Sequence, residues 1–287
     1  MTPTVAVVTD SAASLPAALA HKWGVRVVPL QVIVDGVAHA EGADISPDEV
    51  LKDLESGASV TTSQPSPAAF AQAYRHAARS GATAVVAVVL SAKLSGTVEA
   101  ARVGAAESPI PVTVVDSHTI AMGTGFAAIA AASLARSGAD ASAVADEARR
   151  VALSTACVFT VDTLDYLRKG GRISPAVAAA GKVLGVRPIL EFIDGEVVLG
   201  TRVRSTARAR AEVLRRVDEV LASRVRPAVA VLTLGATEFA DDAARTLESA
   251  HPHLAMTVRA SLSAVLSAHA GPGAVAVVTV DLPAHVR

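Results

Sequence analysis

One cysteine, Cys157, stands alone in 287 residues, and a lone thiol excludes both an internal disulfide and a cysteine-based zinc cluster. Aromatic side chains make up 3% of the chain, too few to build platforms for stacking bases, and a formal net charge of -1 gives no electrostatic footprint for a phosphate backbone. No nucleic-acid partner is expected. There is also no apolar run of about 20 residues, the length a bilayer-spanning helix requires. The longest candidate, residues 120–135, is interrupted by Gly123, Thr124, Gly125 and Ser133 and reads as a buried helix. A strand pattern starts at Val5 with no basic region or cleavage site before it, so no secretion signal is read. A cytoplasmic address, with at most transient membrane contact, is the expectation.

Several chemical signatures fail on inspection. Gly123-Thr124-Gly125-Phe126-Ala127-Ala128 has the letters of a dinucleotide fingerprint, but it falls inside a helix pattern, whereas the fingerprint needs its first glycine in the strand-to-helix turn. Gly181-Lys182 lacks the upstream glycine and the following hydroxyl of a P-loop. His251-Pro252-His253 has no matching ligand at helical spacing and reads as an exposed loop rather than a metal site. The Gly-x-Ser-x-Gly nucleophile elbow is absent, although Ser95 with His269 leaves a serine-dependent acyl ester or thioester hydrolase as an alternative.

What is present is apolar. Hydrophobic residues make up 51% of the chain and charged ones 18%, ample for the core of a soluble globular protein, and the length suits two domains. Through about residue 150, β-branched runs alternate with helix patterns: strands at 5–9, 84–90 and 112–116, an extended run at 25–34, and helices at 16–23, 67–80, 98–106, 119–136 and 140–151. Asp35-Gly36 reads as a tight turn, and Ser46-Pro47-Asp48-Glu49 as a capping box opening a helix to about Glu55. Beyond that point the pattern becomes mixed. A strand at 158–161 precedes a helical turn at 164–168, a hairpin joins 186–193 to 197–203 through Asp194-Gly195, and helices at 206–222 and 238–249 separate strands at 228–234 and 274–280. The expected fold class is α/β and two-lobed: a parallel-sheet three-layer α/β domain over 1–150 and a mixed α+β domain over 151–287.

Two strand-to-helix corners carry unusual polarity. Leu94-Ser95-Gly96-Thr97 follows the strand at 84–90, and Thr61-Thr62-Ser63-Gln64-Pro65-Ser66-Pro67 precedes a helix. Unpaired N–H groups at a helix start attract an anion, hydroxyls add donors, and a glycine permits close approach. Together they suggest a site for a small acidic head group. Arg168-Lys169-Gly170-Gly171-Arg172 is open to two readings, a phosphate-seeking turn or a helix C-cap whose cations complement the dipole. The run Arg202, Arg204, Arg208, Arg210, Arg215 and Arg216 reads as a solvated helix face or as a docking surface for an acidic partner. His269 stands just before the rigid turn Ala270-Gly271-Pro272-Gly273.

Taken in order, Val8-Thr9-Asp10-Ser11, Thr62-Ser63-Gln64-Pro65-Ser66, Leu94-Ser95-Gly96-Thr97, Val115-Asp116-Ser117, Arg168-Lys169-Gly170-Gly171-Arg172-Ile173 and His269-Ala270-Gly271-Pro272-Gly273 resemble the DegV family, whose members include the fatty-acid-binding subunit of bacterial fatty acid kinase. The resemblance spans essentially the whole chain. It implies a lipid-binding carrier, without its own nucleotide site and not itself an enzyme, that holds a long-chain fatty acid such as palmitate or oleate. It implies ligand binding by Thr62, Ser63, Ser95, Gly96, Thr97 and His269, and a partner- or phosphate-related role for Arg172, Lys169 and Arg168. A separate ATP-dependent kinase subunit would convert the bound carboxylate to an acyl-phosphate for phospholipid metabolism. Neither a metal nor a cofactor is implied. Two departures stand out: Ala92 replaces a second serine common in the strand-end motif, and Gly235-Ala236-Thr237 lacks the histidine expected nearby.

Overall fold

A computed structural model describes residues 4–180 and 186–287; the Gly181-Lys182 pair lies outside them. The first half contains β1 (Val5–Asp10), β2 (Val25–Val28), β3 (Gln31–Val34), β4 (Val37–Ala40), β5 (Val60–Ser63), β6 (Ala84–Val89) and β7 (Val112–Asp116). Four of these make a sheet of order β2-β1-β6-β7 in which every pairing is parallel. Parallel neighbours need crossovers. Helix Ala17–Trp23 supplies one between β1 and β2, and helix Thr97–Ala105 another between β6 and β7.

The extended run at 25–34 proves to be two strands. Pro29 falls between them, where a residue without an N–H interrupts the ladder, and β2 and β3 enter different sheets. The β3 strand pairs antiparallel with both β4 and β5, giving a three-stranded sheet that the β/α alternation did not foretell. Asp35 and Gly36 turn its hairpin with φ of 46° and 86°, the twist a two-residue turn requires. The capping box forms as read: Ser46 Oγ accepts from Glu49 N, and the Glu49 carboxylate accepts from Ser46 N, at the start of helix Pro47–Ser56.

The second half contains β8 (Ala156–Thr160), β9 (Arg187–Ile193), β10 (Glu196–Val203), β11 (Pro227–Thr233), β12 (Met256–Ser261) and β13 (Val275–Asp281). They form a mixed sheet of order β10-β9-β8-β13-β11-β12, antiparallel except between β11 and β12. Asp194 and Gly195, at φ of 50° and 82°, close the β9–β10 hairpin. Strand β12 and the short helix Ala264–Ala270 are additions to the pattern read from sequence. His251 is a correction. It is buried rather than in an exposed loop, with Nε2 2.7 Å from Asp218 Oδ1.

Helix Met122–Arg136 is buried everywhere except at Leu134 and Arg136, as expected of a helix apolar on all sides. Gly123-Thr124-Gly125 lies within its first turn. The helix packs on β1, on β13 and on helix Ala141–Leu153, so one buried cluster reaches from Val5 in the first sheet to Val280 in the second. In the arginine run, Arg215 and Arg216 pair with Glu212, Glu219 and Glu191, and the Arg210 guanidinium lies 4.9 Å from the centre of the Phe239 ring. Among the described residues no helix is long and apolar enough to cross a membrane.

Candidate functional site

The helix Ala264–Ala270 carries His269, and residues of the first half hold its start. Ser263 caps it by accepting from Leu266 N at 3.2 Å. Ser263 N donates to Ser14 Oγ at 3.0 Å, and Glu41 Oε1 accepts from Val265 N at 3.1 Å. The other Glu41 oxygen accepts from Ser11 Oγ. Glu41 is buried, and that burial raises its carboxyl above the usual range. A buried carboxylate without such donors would be strongly unfavourable, so its contacts fix where this helix sits.

At the other end of the helix, His269 Nε2 lies 2.7 Å from Oγ1 of Thr62, the penultimate residue of β5. The ring is packed so closely against Gly170 that a methyl group there would overlap Nδ1. Burial, and secondarily the nearby Arg172 charge, lower the His269 pKa to about 4, so the imidazole is neutral at physiological pH.

Gly170 belongs to the basic glycine loop, whose backbone is a helix C-cap. Helix Asp165–Lys169 ends with Gly171 at φ 69°. Gly171 N donates to Arg168 O and Arg172 N to Leu167 O, each at 3.0 Å, the two bonds of a Schellman motif. The cap turns Arg172 inward. Its Nε donates to Leu94 O at 3.1 Å and its Nη1 to Gly170 O, tying this loop to the serine corner. There Ser95 Oγ sits 2.8 Å from Thr97 Oγ1 and accepts from Thr97 N at 3.3 Å. Gly96 lies so close to the Gln64 amide that a side chain at 96 would displace it. The two hydroxyl corners therefore meet.

Where they meet, a narrow cavity runs into the core. Thr62, Ser63, Gln64, Ser95, Arg172 and His269 supply its polar lining. Apolar side chains supply most of the rest, among them Leu94, Ile120, Phe159, Leu167, Leu266 and Val275. With its mouth it encloses about 850 Å³ of space. A second pocket, enclosing about 800 Å³ with its mouth, shares Thr62, Arg172 and His269 and adds Lys169, Gly170 and Tyr166. The Thr62–His269 pair thus borders a greasy chamber on one side and a cationic one on the other.

Of the residues singled out from sequence, Thr62, Ser63, Ser95, His269 and Arg172 line the cavity, and Lys169 lines the second pocket. Gly96 and Thr97 stand behind Ser95, where Thr97 is fully buried. Arg168 pairs with Asp165 at 3.2 Å on the surface. Sequence reasoning missed Gln64 as a lining group, although it sits in a quoted motif, missed Leu266 because its helix went unread, and missed Glu41, which holds the start of that helix from a distant loop.

Residues 4–281 match the family model described as an uncharacterised protein, DegV family. A DegV domain-containing protein of Streptomyces coelicolor is 42% identical over 277 residues, 96% of this chain and 97% of that protein. The solved structure of a DegV family protein from Thermus thermophilus, described by its fatty acid binding, matches with a TM-score of 0.89 at 35% identity, covering 97% of this chain and 100% of that one. DegV from Bacillus subtilis, described as a fatty acid binding protein, matches with a TM-score of 0.89 at 27% identity, covering 97% and 99%.

Proposed function

The chain belongs to the DegV family, and we propose that it holds a long-chain fatty acid with the carboxylate at the Thr62–Ser95–His269 corner and the tail in the apolar cavity. The observation that carries this reading is the narrow cavity ending at two converged hydroxyl turns. The fatty acid binding described for the Thermus and Bacillus relatives supports it. Each methylene taken out of water contributes about 0.8 kcal/mol, so a tail of about fourteen supplies on the order of 10 kcal/mol before ordering costs. The head group then needs orientation more than strength. Hydroxyl donors give it that, and the neutral imidazole adds a hydrogen bond without a full charge.

The chain acts as a carrier and not as an enzyme by itself. A separate ATP-dependent kinase reaches the carboxylate through the cationic pocket, where Lys169 and Arg172 favour phosphoryl oxygens. A carboxylate oxygen attacks the terminal phosphorus of ATP, the bond to ADP breaks, and the acyl-phosphate passes to phospholipid metabolism in the cytoplasm. The unit 1–150 and the unit 151–287 each contribute part of the head-group corner. A serine hydrolase reading needs Ser95 Oγ within reach of the imidazole, but His269 Nε2 is bonded to Thr62 and Ser95 Oγ to Thr97, which favours the carrier. Mass spectrometry of an organic extract of the purified protein tests the reading. A stoichiometric fatty acid is expected; recovery of none after several growth conditions, or labelling of Ser95 by a fluorophosphonate, would overturn it.

A further inference from the structure

The narrow cavity has a neighbour. A wider cleft lies against it, and Cys157 is the one residue that lines both among those described. The two spaces differ in chemistry. The cleft is bordered by Glu191 and Arg216, which form an ion pair, and by Thr119 and Thr155. Thr119 is only 2% exposed, yet its Oγ1 has no hydrogen-bond partner, and neither has Thr155 Oγ1. Such hydroxyls favour water over hydrocarbon.

The strand that carries Cys157 gives it a direction. Cys157 and Phe159 are two residues apart on β8, so they share one face, and both line the narrow cavity. On the neighbouring strand β13, Phe159 pairs with Ala276, which lines the cavity just after His269 and Ala274, whereas Cys157 pairs with Val278 farther along the strand from that polar end. Cys157 therefore lies about 7 Å farther than Phe159 from that end along the strand. Burial pushes its thiol up to about 12, so it stays protonated and behaves as a small apolar surface.

Resting on the fatty-acid reading, we propose that Cys157 is the tail stop of the cavity, the wall against which the terminal methyl packs and which sets the longest acyl chain retained. A longer chain has to displace this wall into a cleft floored by polar groups and lose the burial of its last carbons. That loss is worth about fourfold in affinity per methylene.

The test offers the delipidated protein an equimolar mixture of saturated straight-chain acids from medium to very long, removes unbound lipid, and identifies the retained acids by mass spectrometry. Relative to the unsubstituted protein, Cys157→Ala, which frees about the space of one methylene, should move the most retained acid about one carbon longer, and Cys157→Leu about two carbons shorter. Identical profiles for all three proteins would overturn the tail stop while leaving fatty acid binding intact. Retention of no acid of any length by the unsubstituted protein would instead overturn the fatty-acid reading and this proposal with it. Should Cys157→Leu fail to fold, the shift in Cys157→Ala, which only trims the wall, decides the matter alone.

Discussion

Acidification should destabilise this fold through His269. The ordinary imidazole value is 6.5, and burial followed by the Arg172 charge lowers it to about 4 in the folded chain. Above 6.5 the ring is neutral in both folded and unfolded states, and its contribution is fully present. Between 6.5 and about 4 the unfolded chain takes up a proton that the folded chain refuses, so stability falls as pH falls. Below about 4 both states are protonated and the loss levels off. At about 1.4 kcal/mol per pH unit the ceiling is about 3 kcal/mol, and because the ring keeps some contact with solvent, a loss on the order of 2 kcal/mol is expected. Asp10 works in the opposite sense. Burial raises its carboxyl from 3.8 to about 7, so its cost grows as pH rises through that window and is relieved by acid. Urea unfolding of the unsubstituted protein and of His269→Gln across this range separates the two, since Asp10 is common to both and cancels. The stability difference between the proteins should shrink by about 2 kcal/mol from neutrality to about pH 4; a difference that stays constant would refute the assignment of a buried, proton-refusing imidazole.

Three further outcomes follow from the contacts. Glu41→Ala should cost on the order of 2 kcal/mol in urea unfolding, and Glu41→Gln less, because the alanine strands Val265 N and Ser11 Oγ in a buried place; equal midpoints for both variants and the parent would mean that apolar packing alone holds helix Ala264–Ala270. Gly170→Ala should force the His269 ring from its seat and lower lipid retention at least about tenfold, while its ordinary backbone φ of -73° leaves the fold intact; unchanged retention would show that the ring position is immaterial. Thr62→Ala combined with Ser95→Ala should weaken lipid retention, whereas Arg172→Ala should keep lipid and lose kinase-dependent turnover; equal lipid loss in both would contradict that division.

Much of the fold was written in short-range signals. The capping box at Ser46 and the Asp194-Gly195 hairpin each impose their geometry on neighbours a few positions away, which is why they can be read residue by residue. Misreadings arose where a distant partner decides. Pro29 separates β2 from β3, which enter different sheets, a choice invisible in a run that reads as one extended segment. His251 reads as a loop residue until Asp218, on another helix, comes to meet it. The helix Ala264–Ala270 has only seven residues and relies on Glu41, more than two hundred positions away, to fix its start. The candidate site shares this character. Its hydroxyls and glycines were legible as motifs, but the convergence of Gln64 on Gly96 and of Thr62 on His269 is long-range packing with no local signature.

Thr62 and His269 are 207 positions apart in the chain. A nascent polypeptide emerging from the ribosome folds its early portion first, so β5 is complete long before its partner has been translated. Whatever this corner grips, it cannot grip during synthesis. On the proposed reading, loading therefore waits for a chain that has been synthesised past residue 269.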